Sequence, residues 1–326
     1  YNPVPGMGAI PHANGVAFRV WATHADKVSV IGSFNDWKAE TDDCVHEANG
    51  YWYADLAHAK PGDEYKFHIV NGEQQLQRID PYAKIVTNSV GSGVIPALDL
   101  FAPPTSQFQM PAWNDLVIYE LHIGTFNTEE GKVGTFDSAI ERLPHLKALG
   151  INAVELMPIA EFAGDYSWGY NPAHPYAIES AYGGADGFKR FLTAAHEAGI
   201  AVIVDVVYNH FGPSDISLWQ FDGWSENDKG GIYFYNDWRS TTPWGDTRPD
   251  YGRGEVQQYI FDNAMMWLGD FRCDGLRYDM TLYIRSIAGN GGDDIHEGWT
   301  LAQWINRDVA ERFAGKITIA EDLRSN

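Results

Sequence analysis

Two carboxylate residues at the ends of short apolar runs are the first candidates for chemistry. Asp279 closes the run Gly275–Asp279, which reads G-L-R-Y-D, and Glu321 lies in Ile319–Asp322, which reads I-A-E-D. A buried parallel strand delivers a charged group to the rim of a barrel in this way. A pair of carboxylates flanking a sugar bond is what glycoside cleavage requires. Taken alone, either residue is equally well explained as a strand-end acid that caps a helix or pairs with a lysine.

The elements that would position these carboxylates alternate between strand and helix from about residue 113. The strand-like runs are Leu116–Phe126, Ala153–Ile159, Ala201–Asn209, Gly275–Asp279 and Ile317–Asp322. The runs with helical spacing of apolar residues are Phe136–Leu149, Gly187–Gly199, Val256–Phe271 and Trp299–Phe313. This alternation predicts an α/β fold, a (β/α)8 TIM barrel of which the first five βα units are present. The strand ends carrying Asp279 and Glu321 would then be neighbours at one mouth.

Five strands do not close a barrel, and the sequence ends at Asn326. An open arc of parallel strands would expose a large apolar edge to water, which is costly. We therefore expect the functional protein to continue past Asn326 with three more βα units and a C-terminal β-domain. We also expect the printed chain alone to aggregate or to lack activity.

The first hundred residues have a different pattern, with short runs of period-two alternation separated by turn residues. These runs are Val16–Trp21, Lys27–Gly32, Tyr51–Leu56 and Glu64–Val70. Short strands at this spacing predict an immunoglobulin-like β-sandwich. The sequence thus predicts three parts: a β-sandwich over residues 1–103, a linker over 104–112, and the N-terminal portion of a barrel over 113–326.

The composition of the chain argues against nucleic-acid and membrane partners. The 326 residues carry a net charge of −21 with no basic run, which argues against a nucleic-acid partner. No apolar run reaches membrane-spanning length, so we expect no membrane partner. Two distant cysteines give no disulfide or zinc pattern, while 12 tryptophans suit stacking on sugar rings. We expect a cytoplasmic protein; secretion stays open because the chain starts at Tyr1 rather than Met.

Three motifs in order resemble the signature regions of the α-amylase superfamily, glycoside hydrolase family 13. Asp205–His210 reads D-V-V-Y-N-H and resembles the first region, Gly275–Asp279 the second, and Ala320–Asp322 the third. Ahead of them, Phe18–Trp37 resembles the family-48 carbohydrate-binding module. In such a module Trp37 and Trp52 would either stack on glucan or pack in the sandwich core.

The resemblance implies roles for the two carboxylates and their neighbour. Asp279 corresponds to the nucleophile and Glu321 to the general acid/base of a retaining reaction. Arg277 lies two residues before Asp279 on the same strand, so it points to the same side and is expected to keep that carboxylate charged. The carboxyl groups of a retaining pair lie about 5–5.5 Å apart. The family's third acid would lie beyond Asn326.

The resemblance also implies a substrate-binding set around the cleaved glucose. Its members in this sequence are Arg277, His210, Tyr170, Asp205 and Trp168. Each has a plainer explanation: a satisfied core histidine, packing of a loop, or a structural acid. Asn209 matches a calcium-ligand position in α-amylases, but branching enzymes resemble it there without needing the metal. We expect no cofactor, with calcium at Asn209 as the alternative.

The motifs point to an enzyme acting on α-glucans such as glycogen, starch or maltooligosaccharides. Ser167–Pro172 (S-W-G-Y-N-P) is similar to glycogen branching enzymes, whereas Ala320–Asn326 (A-E-D-L-R-S-N) is similar to maltooligosyltrehalose trehalohydrolases. We favour 1,4-α-glucan branching, with trehalohydrolase or amylase-type hydrolysis as the alternative. A non-catalytic glucan-binding protein is the remote alternative. The aromatic-rich loop Gly230–Arg253 is a candidate wall for acceptor sugars.

Overall fold

Two antiparallel sheets make up the N-terminal part of the chain. In the computed structural model, which describes residues 3–103, 107–290 and 294–324, their strands are β1 (Gly8–His12), β2 (Gly15–Trp21), β3 (Lys27–Gly32), β4 (Val45–His46), β5 (Tyr51–Leu56), β6 (Glu64–Asn71), β7 (Gln74–Arg78) and β8 (Gly93–Val94). One sheet has the order β1-β2-β5-β4, and the other runs β3-β6-β7 with β8 also on β6. The four runs foreseen from alternation are strands; β1, β4, β7 and β8 are additional and mostly more polar or shorter.

The two sheets share one apolar core, because alternate residues of each strand face the other sheet. Phe18 from β2 and Phe67 from β6 are both completely buried. Trp52 is also buried, and its indole N–H donates to the carbonyl of Ala22 at 3.0 Å. Stacking of Trp52 on glucan is therefore wrong, because the ring presents no face to solvent. Trp37 is 38% exposed and its backbone has a φ of +59°.

A five-stranded parallel sheet follows, in sequence order across the sheet. Its strands are β9 (Ile118–Leu121), β10 (Ala153–Leu156), β13 (Ala201–Val206), β14 (Gly275–Tyr278) and β15 (Ile317–Ala320), and β11 (Ala160–Phe162) and β12 (Pro172–Ile178) form a separate hairpin. The helices are α1 (Ile123–Phe126), α2 (Phe136–Ile140), α3 (Leu143–Ala148), α4 (Gly184–Glu197), α5 (Gly254–Met265), α6 (Leu282–Arg285) and α7 (His296–Arg312). Consecutive parallel strands separated by helices are the arrangement of a partial (β/α)8 barrel, as predicted.

The elements differ from the sequence expectation mainly at their ends. The first strand is only four residues long, since the chain turns after Leu121 into the short helix α1. The helix expected over residues 136–149 is split into α2 and α3, with Pro144 in the first turn of α3. Proline lacks the N–H needed to continue a preceding helix. α5 continues as a π-helical turn over Met266–Asp270.

The inner face of the parallel sheet is apolar at its N-terminal end. Ala153, Ala201 and Ile203 are completely buried there, and Phe108 and Met110 from the predicted linker pack against them. Residues 104–106 of that linker lie outside the described part of the chain. Apolar side chains fill this face at the N-terminal ends of the strands. The polar groups on the same face therefore lie at the C-terminal ends.

The N-terminal sheets pack directly on the barrel region. Tyr259 of α5 donates its hydroxyl to the carbonyl of Pro81 at 2.9 Å. Arg78 donates to the carbonyls of Phe221 and Gln220 in the long loop after β13. These contacts join side chains to backbone groups across the interface. Within the described ranges, no helix combines the length and apolarity needed to cross a membrane.

A buried hydrogen bond between β6 and the segment after β7 allows a test of the sandwich. The hydroxyl of Tyr65 donates to the carboxylate of Asp80 at 2.6 Å, and both residues are about 1% exposed. Removing the donor in Tyr65→Phe leaves a buried carboxylate short of a partner, which should lower the free energy of unfolding by about 1–3 kcal/mol. Urea denaturation measures this loss.

The matched control is Tyr51→Phe, because the hydroxyl of half-buried Tyr51 has no hydrogen bond to any described residue. Its effect should stay within about 0.5 kcal/mol. Equal losses in the two variants would show that the bond to Asp80 contributes nothing specific.

Candidate active site

The register of the parallel sheet brings the sequence-predicted charged residues together. Asp205 on β13 lies directly opposite Arg277 on β14, and Arg277 lies opposite Ile319 on β15. Asp279 follows β14 by one residue and Glu321 follows β15 by one residue. The C-terminal ends of neighbouring parallel strands meet at one edge of a sheet, which explains why residues far apart in sequence share this site.

Close approach of β14 and β15 depends on Gly275. A Cβ atom added at this glycine would stand 2.7 Å from Cγ1 of Ile317 and 2.9 Å from its carbonyl oxygen. Real Cβ atoms do not approach that closely, so a larger residue would push the two strands apart. The glycine at the start of the G-L-R-Y-D motif thus sets the spacing of the strands that carry Asp279 and Glu321.

One guanidinium group links three carboxylates at this edge. Nη1 of Arg277 lies 2.8 Å from Asp205 and 3.1 Å from Asp279, and Nη2 lies 2.8 Å from Glu321. Glu155 on β10 is further away, 3.9 Å from Nε. Asp279 and Glu321 contact the two terminal nitrogens of the same planar guanidinium. Their nearest carboxylate oxygens are therefore separated by no more than the width of that group and its two contacts. The separation expected of a retaining pair stays a prediction.

Burial controls the protonation of the carboxylates around Arg277. It raises the pKa of Asp279 to about 6, and the nearby charge of Glu321 adds to the rise, while hydrogen bonds from Asn209 and Arg277 oppose it. With a pKa of about 6, Asp279 is still mainly ionised at pH 7, and the role of Arg277 in keeping it charged stays a prediction. Burial likewise raises the pKa of Asp205 to about 7. For Arg277 burial disfavours the charge, but the surrounding carboxylates raise its pKa.

Asn209 and His210 hold the carboxylate of Asp279 from the β13 side. The amide nitrogen of Asn209 donates to Oδ2 and to the backbone oxygen of Asp279, both at 2.9 Å. The amide oxygen of Asn209 lies 2.6 Å from Nδ1 of His210. Burial lowers the pKa of His210 to about 4, so its ring is neutral at pH 7 and Nδ1–H donates to that oxygen. Sequence reasoning missed this positioning role, although the N-H pair closing D-V-V-Y-N-H is its signal.

Calcium at Asn209 stays a prediction, and the geometry does not fit it well. The only oxygen of the amide faces an imidazole N–H, and the nitrogen is committed to Asp279. A hard cation would need several oxygen ligands around that position. Across residues 3–103, 107–290 and 294–324, no group of three or more His, Cys, Asp or Glu side chains is arranged to hold a metal.

Three more residues support the site and were not foreseen from the sequence. The N–H of Met280, whose φ is +40°, donates to Glu321 at 2.9 Å. The ring of Trp244 stacks on His210 with centroids 4.7 Å apart, and Asn171 lies 3.1 Å from Nε2 of the same histidine. Trp244 belongs to the aromatic loop suggested as an acceptor wall. Nothing in the residue types of Met280 and Asn171 signals these roles.

Tyr170 and Trp168 line a cavity of about 700 Å³ beside the carboxylates. The hydroxyl of Tyr170 donates to Asp205 at 2.9 Å, so the cavity adjoins the charged cluster. Trp168 and Tyr166 stand at its rim, each 73% exposed. Polar groups such as Glu120 and His122 form the rest of the wall nearest β9. A cavity with exposed aromatic faces, and with the carboxylates of Glu120 and Asp165 in its wall, suits a ligand with both apolar faces and hydroxyl groups, such as a sugar chain.

Comparison with known proteins places this site in a family. Residues 6–83 match carbohydrate-binding module 48 (isoamylase N-terminal domain), and residues 124–241 match the alpha amylase catalytic domain. The class is therefore a carbohydrate-binding module followed by an amylase-type catalytic region. These are the two parts expected of an α-amylase superfamily enzyme, glycoside hydrolase family 13.

Its relatives within the family include more than one activity. The malto-oligosyltrehalose trehalohydrolase of Saccharolobus solfataricus is 35% identical over 312 residues, covering 94% of this chain and 49% of that protein. The 1,4-alpha-glucan branching enzyme GlgB of Oceanobacillus iheyensis is 32% identical, covering 94% and 51%. The pullulanase structure from Anoxybacillus sp. LM18-11 shares the fold, with a TM-score of 0.78 at 24% identity over 97% of this chain and 48% of that one. The chain thus spans about half the length of the curated relatives it matches.

The raised pKa of Asp205 predicts a pH-dependent contribution to stability. A carboxyl whose pKa is higher in the folded than in the unfolded state stabilises the fold fully at low pH, and this stabilisation is lost as pH rises through about 7. Between pH 5 and pH 8, the free energy of unfolding of the unmodified chain should fall by about 1–3 kcal/mol more than that of Asp205→Asn. Urea denaturation at the two pH values measures this difference.

Asp36→Asn is the control, because Asp36 is an exposed acid with a φ of +54°, a conformation that asparagine also tolerates. Its pH dependence should match that of the unmodified chain. Parallel pH profiles for Asp205→Asn and the unmodified chain would contradict the raised pKa.

Proposed function

We propose that these residues form the catalytic centre of a retaining α-glucan enzyme, which cleaves α-1,4-glucosidic bonds. The observation that carries the proposal is the convergence of Asp279 and Glu321, from adjacent strand ends, on the guanidinium of Arg277. Similarity to this family supports the reaction class. A non-catalytic glucan-binding protein would not need both acids and the arginine held in this arrangement.

In the proposed mechanism, the two carboxylates act in turn on one sugar. Asp279 attacks the anomeric carbon while Glu321 gives its proton to the departing glycosidic oxygen, which leaves a glycosyl ester on Asp279. Glu321, now ionised, takes a proton from an incoming hydroxyl group. The oxygen of that hydroxyl attacks the anomeric carbon and releases Asp279.

The surroundings of Asp279 suit the nucleophile. Its pKa of about 6 leaves it mainly ionised at pH 7, and Asn209 and Arg277 fix the direction of its two oxygens. Neutral His210 and the hydroxyl of Tyr170 stand beside it and are suited to hydrogen-bond sugar hydroxyls. A third acid contributed by residues beyond Asn326 stays a prediction, as do the domain limits and a cytoplasmic location.

Within this class we favour 1,4-α-glucan branching, in which a sugar hydroxyl of a second chain is the acceptor. Ser167, Trp168 and Tyr170 of the run that resembles branching enzymes line the cavity beside the site, and Trp244 from the aromatic loop stacks on His210. Trehalohydrolysis, with water as the acceptor, is the second candidate because the trehalohydrolase relative is 35% identical. Both reactions pass through the same ester, so acceptor binding decides between them.

Incubation of the full-length protein with amylose separates these activities. Branching lowers iodine colour without new reducing ends, hydrolysis creates reducing ends, and a binding protein changes neither. Asp279→Asn and Glu321→Gln should each lower the rate by roughly 10³-fold or more, because each removes a group needed in the transition state. Circular dichroism should show that both variants fold.

Asp36→Asn serves as the matched loss of one exposed carboxylate and should keep full activity. Retention of activity in either catalytic variant, or a protein that alters neither iodine colour nor reducing ends, would refute the proposal.

The exposed rim of the cavity gives a separate prediction about binding. Trp168→Ala removes an aromatic face worth roughly 1 kcal/mol to a stacked sugar, so KM for amylose should rise about fivefold with little change in kcat. Trp113→Ala is the control, since Trp113 is 62% exposed but does not line this cavity. An unchanged KM for Trp168→Ala would show that sugar chains bypass this rim.

A further inference from the structure

A second cavity, of about 450 Å³, lies at the opposite end of the parallel strands from the carboxylates. Asp274 and Lys316, the residues just before β14 and β15, are part of its wall. The rest comes from α4 and from the segment leading to β9, including Phe108. The glucan chemistry proposed above uses none of these residues, so a ligand bound here would be independent of that function.

Positive charge in this cavity is only partly neutralised. Lys189 and Arg272 line it, and neither makes a hydrogen bond or an ion pair with any residue in the described ranges. Lys316, whose ammonium donates to the carbonyl of Leu268, is the third cation. Three cations and two acids, Asp270 and Asp274, line this cavity, which gives it a small excess of positive charge in a chain whose net charge is −21. A bound anion would complete their charge balance.

The acids of the cavity do not offset these cations by direct contact. The carboxylate of Asp274 is committed to His196 at 2.7 Å and to the N–H of Val202 at 2.8 Å. Asp270 is exposed and lies beyond 4 Å of every cationic group within the described residues. The nitrogens of Lys189 and Arg272 are therefore left to solvent or to a ligand.

Two features of the cavity wall are typical of a ligand-binding site. Arg272 has a φ of +66°, a left-handed conformation that is uncommon for a long side chain. Phe108 and His196 form a parallel stack, with ring centroids 4.1 Å apart and an angle of 1° between the planes. The wall thus combines fixed aromatic surface with cationic groups, and its floor includes buried Phe271.

We propose that this cavity binds a phosphate monoester of a sugar, the chemistry shared by hexose phosphates and nucleoside monophosphates. The phosphate dianion would pair with Lys189 and Arg272, where a guanidinium offers two parallel donors to phosphate oxygens. The ring of the ligand would lie against Phe108, which is partly exposed. The cavity is large enough for such a molecule.

Isothermal titration calorimetry on the full-length protein tests the proposal with four probes: glucose 6-phosphate, AMP, inorganic phosphate and glucose. At least one organic phosphate should bind at one site, about tenfold or more tighter than inorganic phosphate or glucose. The relative affinities of glucose 6-phosphate and AMP decide whether the site prefers a hexose phosphate or a nucleoside monophosphate. Arg272→Asn and Lys189→Gln should each weaken that binding about tenfold.

Asparagine tolerates the left-handed backbone at position 272, so Arg272→Asn is expected to fold, and circular dichroism checks this. Lys38→Gln removes the same charge from an exposed position outside the cavity and should leave binding unchanged. Three results would overturn the proposal: no organic phosphate binds, inorganic phosphate binds as tightly as the organic ones, or binding persists unweakened in Arg272→Asn and Lys189→Gln.

Discussion

The guanidinium of Arg277 is the interaction on which the candidate active site depends. Three carboxylates gathered at one buried edge would repel one another and would each lose hydration. Nη1 and Nη2 of Arg277 contact all three, so one cation both compensates the charge and fixes the directions of the acids. A lysine ammonium at this position would supply charge without the planar fork that separates Asp279 from Glu321. The parallel register sets Asp205 opposite Arg277 and so makes this contact possible.

Around that cation, neutral groups satisfy the lone pairs that the guanidinium leaves open. Asn209 donates to Asp279 and the N–H of Met280 donates to Glu321. Neither donor carries charge, so each orients a carboxylate without adding a second cation. For Asp279 this balance is consistent with a pKa of about 6, where burial prevails over the favourable contacts. The site thus holds both acids in place and leaves the protonation of Asp279 sensitive to a bound ligand.

Sequence patterns captured the parts of this structure that depend on periodicity and on residue type. Apolar runs predicted all five parallel strands, and the carboxylates at the ends of two of them predicted Asp279 and Glu321 as neighbours. Asp205, which lies within its strand, was assigned to the site by the family resemblance. What the sequence did not reveal depends on backbone conformation or on loops. The positive φ of Met280 and the folding of Trp244 onto His210 follow from tertiary packing. For Trp52 the sequence left glucan stacking and core packing open, because an alternating strand does not by itself show which face is covered, and the structure places it in the core.

The parallel register also has a consequence for the order in which the chain folds. Asp205 and Arg277 are 72 residues apart, and Met280 is 41 residues from Glu321. Each contact closes a long loop, which costs entropy before any contact is gained, whereas β1 and β2 are joined by a two-residue turn. The antiparallel sheets should therefore form early and the carboxylate cluster late. Until the strands are in register, the acids stay fully hydrated, so a partly folded chain presents no concentrated negative charge.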